Sequence, residues 1–132
     1  MSGPAISLEL QLEDAAAAFD PGARLAGVAR WAAAASIAPR GMELRLIWTL
    51  QGKWERDMRI AATIALPDPQ PSERRPFFLT LPLAPYSFRG TLLALEWTLQ
   101  LVALPGEEKT GVPLVLAPGR RAIDLVHRDV RK

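Results

Sequence analysis

Apolar residues recur at every second position over four long stretches, a period that sets one apolar and one polar face only on an extended strand. Ile6, Leu8, Leu10 and Leu12 share one face, and Ser7, Glu9, Gln11 and Glu13 the other. Met42, Leu44, Leu46, Trp48 and Leu50 alternate with Glu43, Arg45 and Thr49. Met58, Ile60, Ala62 and Ile64 alternate with Asp57, Arg59 and Thr63. The longest run sets Leu93, Leu95, Trp97, Leu99, Leu101 and Ala103 against Glu96, Thr98 and Gln100. Strands with one dry and one wet face build antiparallel sheets that pack their apolar sides on a second sheet. The alternation therefore predicts an all-β, two-sheet antiparallel β-sandwich of the immunoglobulin-like kind.

Prolines and glycines punctuate these runs, as at Pro21-Gly22, Gln51-Gly52, Pro82 to Pro85 and Pro105-Gly106. The stretch Pro67 to Pro76 cannot pair as a central strand, because its prolines lack amide donors. It reads as a connection, long enough to serve as a binding loop. One segment fits two patterns. Ala23 to Ala38 is alanine-rich, and Leu25, Val28, Trp31, Ala32 and Ala35 would line a helix face as well as a strand allows. With 132 residues, 49% of them hydrophobic and 23% charged, the chain has material for one globular domain. The expected organisation is a single domain over residues 1–127 and a basic tail over 128–132.

The formal charge of +2 is unevenly placed. From Arg120 onward, five basic residues face two acidic ones, giving +3; the rest has eleven against twelve, giving −1. Such a distribution describes a basic end and not a nucleic-acid face, so no nucleic-acid partner is expected. The absence of cysteine excludes a disulfide framework, a thiolate nucleophile and thiolate metal ligation. The N-terminal residues run straight into strand alternation, and no stretch reaches the ~18 apolar residues of a membrane span. These features predict a cytoplasmic protein with no membrane span.

Two segments resemble arrestin-like domains. Phe19-Asp20-Pro21-Gly22, with Leu25, Gly27 and Val28 after it, is similar to that family's aromatic-x-Pro-Gly turn and following strand. Leu81-Pro82, Pro85-Tyr86-Ser87-Phe88-Arg89-Gly90 and Trp97 are similar to its Leu-Pro strand end, its Pro-x-Ser-Phe-x-Gly turn and its long aromatic-bearing strand. The resemblance spans residues 6–104, most of one arrestin lobe. Such a lobe is also found in retromer-subunit-like and bacterial sporulation-control-like proteins. It implies a strand for Leu25 to Trp31 and a sandwich used as a protein-interaction scaffold. It does not extend to phosphate sensing, because the first strand carries Ser7, Glu9 and Gln11 where receptor-binding arrestins place basic residues.

No catalytic, cofactor or metal constellation stands out. His127 is the only histidine and sits in the charged tail without a nucleophile beside it. Glu9 and Glu96 fall on polar strand phases and form a carboxylate pair only if one sheet holds both. Trp31, Trp48 and Trp97 fall on apolar phases and read as core anchors. Trp54 follows a Gly-Lys corner without such a phase; it is either packed over the sandwich end or an exposed contact residue. With Arg74 and Arg75 it forms the candidate interaction set, the arginines being solvated charge or a contact for an acidic partner.

The function expected is a non-enzymatic protein-interaction or scaffold module. The alternatives are a carbohydrate-binding or carbohydrate-processing sandwich and a structural subunit of a larger assembly. Homo-oligomerisation is also expected. The uncharged stretch Ala32 to Ile37 suggests an unprotected edge for strand addition near Ala32 to Pro39.

Overall fold

The computed structural model describes residues 6–34 and 37–124, and each alternating stretch lies in a strand. One sheet has three strands in the order β1 (Ile6–Leu12), β3 (Arg24–Ala33) and β6 (Ser72–Thr80). The second orders β10 (Ile123–Asp124), β7 (Phe88–Arg89), β8 (Leu93–Leu104), β4 (Gly41–Gly52) and β5 (Arg56–Leu66). Beyond β7, β8 pairs with β9 (Glu108–Leu116), and β9 pairs with β2 (Ala18–Phe19). The long pairings are all antiparallel. No α-helix occurs among the described residues. The molecule is a two-sheet antiparallel β-sandwich.

Register places the predicted apolar phases inward. On β4 and β8, Leu44 faces Leu101, Leu46 faces Leu99 and Trp48 faces Trp97. These residues pack against Ile6, Leu25, Ala29, Trp31 and Leu79 of the three-stranded sheet. Trp31 and Trp97 are buried and Trp48 is half-buried, as anchors on apolar phases should be. The alanine-rich segment is a strand from Arg24 to Ala33. Leu25, Gly27, Ala29 and Trp31 all face the core, and that burial outweighs the helix propensity of its alanines.

Three expectations change. Ala32 does not lie on an edge: β3 is the central strand, and Ala32 faces Ser7 on one side and Ser72 on the other. Residues 35–36 of that stretch lie outside the described residues, as do His127 and the 128–132 tail. The second change is in Pro67 to Pro76, where only the first part is a connection. From Ser72 on, the chain is β6, an edge strand whose free side tolerates Pro76.

The third change is in β5. A bulge between the Leu46 and Ile47 pairings leaves Ala61 without a partner on β4. This flips the phase beyond it. Ala62 and Ile64 stay inward, while Met58 and Ile60 turn outward opposite Thr49 and Ile47 and are exposed. Asp57 and Arg59 consequently share the inner face with Leu50 and Trp48. On β6, Glu73 and Arg75 likewise share the inner face with Trp31 and Ala29. Inward-pointing charge at a sheet edge discourages pairing with another chain.

Candidate functional site

The two motif segments, 60 residues apart in sequence, are bonded to each other. Gly22 adopts φ 77, a left-handed conformation open to glycine at no steric cost. Its N–H donates to the Pro82 carbonyl at 3.2 Å, and the Leu81 N–H donates to the Ala23 carbonyl at 2.8 Å. Phe19 is buried and aligns with Leu116 of β9. Ser87 is the one buried polar residue among those described. Its Oγ accepts the Leu116 N–H at 2.9 Å, and its own N–H donates to the Leu116 carbonyl at 2.7 Å. The Trp97 Nε1–H donates to the Pro85 carbonyl at 2.8 Å. Phe88 pairs with Leu95, and the Gly90 N–H closes the next turn on the Leu93 carbonyl at 2.8 Å. Motif residues thus lock the β2–β3 turn, the loop before β7 and the end of β9 into one cluster. That cluster is structural: its polar groups are spent on each other.

At the same end, the β4–β5 hairpin and the β7–β8 turn stand side by side, since Gly52 aligns with Leu93. Trp54 sits at the hairpin tip and is 86% exposed. Lys53 lies 5.3 Å from its ring centroid, within cation–π range. Leu92 is 69% exposed, and Leu93 is exposed too. Together with Leu50, Gly52 and Asp57, these residues line a pocket of about 370 Å³. Leu83 and Tyr86 are also exposed, in the loop before β7. Exposed apolar side chains thus concentrate at this end of the sandwich. Trp54 is therefore the exposed alternative of the two; the sequence holds no signal for Leu93, which continues the apolar phase of β8, or for Leu92, which precedes the strand.

No protein-family model matches the chain, and no curated protein matches it. Among solved structures, it is similar to the crystal structure of Spo0M, sporulation control protein, from Bacillus subtilis. The TM-score is 0.65 at 20% sequence identity, and the match covers 86% of this chain. The fold is arrestin-like. The chain spans about half of that structure, 50% of its length.

On this arrestin-like sandwich, Arg74 and Arg75 separate. Arg75 points inward: its Nε donates to Glu73 at 2.8 Å and an Nη to the Pro67 carbonyl at 2.7 Å, and its guanidinium lies 5.6 Å from the Trp31 ring. The Gln70 N–H donating to Glu73, with Arg75 beside it, holds that carboxyl below the usual carboxylate range despite burial. Arg75 is thus a structural residue. Arg74 lies outward and exposed on β6. Glu9 and Glu96 lie on the outer faces of different sheets, so they do not form a working carboxylate pair. Among the described residues, no group of three or more His, Cys, Asp or Glu is placed to hold a metal ion. No helix of the described residues is long and apolar enough to cross a membrane.

Proposed function

We propose that this chain is a non-enzymatic protein-interaction module of arrestin-like type, working in the cytoplasm as a scaffold domain. The observation that carries this reading is the exposed Trp54–Leu92–Leu93 surface. Tryptophan is among the residue types that most often anchor protein contacts, and here it stands exposed at the tip of the β4–β5 hairpin beside apolar leucines. The wall holds Leu50, Leu92 and Leu93 together with the charged Lys53, Glu55 and Asp57. The leucines favour a protein contact, and the carboxylates beside the ring keep a sugar site as the alternative that glycan binding separates. The test is recovery of the tagged protein from its own cells, with companions identified by mass spectrometry. The Trp54→Ala, Leu92→Ser double variant is expected to lose a companion that wild type recovers while keeping its urea midpoint. Equal recovery of every companion would overturn the reading. Glycan binding that disappears with Trp54→Ala would transfer it to the carbohydrate class.

Self-association belongs to the same proposal, at β5 in place of Ala32. Past the inward-pointing Asp57 and Arg59, which protect only its first part, this strand has from Ile60 to Leu66 a free edge without charge or proline, and Ile60 is exposed. Light scattering is expected to give a dimer or larger species at micromolar concentration, and Ile60→Lys a monomer. A monomeric wild type would remove this part.

A further inference from the structure

The outer face of the three-stranded sheet carries an arrangement that stability alone does not favour. Arg30 and Arg74 are directly opposite each other across β3 and β6. Facing like charges destabilise a sheet, since such side chains start only ~5 Å apart. Arg30 is partly compensated by Glu9, its neighbour on β1, at 3.4 Å. Among the described residues, Arg74 has no ion-pair partner. Six positions before Arg30 on the same face, Arg24 stacks its guanidinium 3.9 Å from the Phe78 ring centroid, which pre-sets its direction. Six residues of strand place the Cα atoms of Arg24 and Arg30 roughly 20 Å apart. Between them the floor is Ala26, Val28 and Pro76. Two open concavities of about 650 and 690 Å³ run along this face and meet at Arg74.

We infer that this groove binds an extended acidic segment of a partner protein, with carboxylates reaching Arg74/Arg30 at one end and Arg24 at the other. The inference rests on the protein-interaction reading but uses a different surface from Trp54. In an extended peptide every second residue faces the same way. A span of roughly 20 Å then selects acidic residues six positions apart, with small apolar residues two and four positions along between them. Each guanidinium can take a carboxylate in paired, charge-assisted hydrogen bonds. Glu9 and Glu13 on the β1 side of the groove oppose a continuous polyanion such as a nucleic-acid backbone. They leave discrete carboxylates over the β6 side unhindered.

The test uses purified full-length protein and a fluorescein-labelled peptide with glutamate at its first and seventh positions, valine at the third and fifth, and serine elsewhere. Anisotropy at low ionic strength (about 50 mM) is expected to show binding that weakens about tenfold when both glutamates become glutamine. Arg74→Ala and Arg24→Ala are each expected to weaken it about tenfold as well, while Trp54→Ala leaves it unchanged. Arg74→Ala should also keep or raise the urea midpoint, because it relieves the repulsion with Arg30. Equal binding of the glutamine peptide, or unchanged binding by Arg74→Ala, would overturn the inference. An oligothymidylate of matched charge that displaces the peptide at equal concentration would overturn it too. Companion recovery that depends on Trp54 is a separate result and stands whichever way this one falls.

Discussion

Trp97→Ala is expected to remove about 3 to 5 kcal/mol of folding free energy, read as a lowered urea midpoint. Its side chain is only 1% exposed, near the middle of β8, which with β4 is one of the two longest strands. There it faces Trp48 on β4 and Leu114 on β9. Truncation leaves a cavity that three paired strands cannot collapse into without breaking their ladders. It also strips the Pro85 carbonyl of its donor, and that carbonyl belongs to the loop fixing Ser87 against Leu116. Trp97→Phe separates the two contributions. It keeps most of the ring volume and loses the N–H, and is expected to cost about 1 to 2 kcal/mol. A Trp97→Ala midpoint equal to wild type would mean that this ring does not anchor the core.

Alternation made the inner faces of β4 and β8 legible because both run their full length without a break in phase. The same reasoning misplaced Met58 and Ile60, since a bulge is one extra residue and leaves no mark in the hydrophobic pattern. Alanine gave no local preference at β3. Its strand state follows from a turn at Gly22 and from pairing with β1 and β6, both distant in sequence. The motif residues were legible as signals, yet their purpose was not: Phe19, Ser87 and Leu81 serve one cluster around the end of β9, and only the fold brings them together. Trp54 stood out as a tryptophan without a phase. Leu92 and Leu93 did not, because a leucine at a strand start looks the same in sequence whether or not the opposite sheet reaches it. The Arg30–Arg74 juxtaposition is likewise a matter of register, and register between strands 44 residues apart is absent from local pattern.

Gly27→Ala is expected to destabilise the fold by about 1 to 3 kcal/mol, with Gly27→Val costing more. A Cβ built at this position meets the Gln11 carbonyl oxygen at 2.6 Å and the Phe77 ring at 2.9 Å. Neither neighbour can yield freely. Gln11 is backbone of β1, held in register against β3, and Phe77 packs against the core. Relief therefore requires β1 to move away from β3 along the side that buries Leu10 and Leu12. Gly106→Ala provides the contrast, because its Cβ would also meet an oxygen at 2.6 Å. That oxygen is the carboxylate end of Glu108, which can swing away from its hairpin. Its expected effect is within about 0.5 kcal/mol. The difference between the two urea midpoints isolates what the atom belongs to from how close it lies. Equal midpoints for Gly27→Ala and Gly106→Ala would show that β1 gives way as easily as a surface side chain, and that the close approach at Gly27 does not fix how β1 sits on β3.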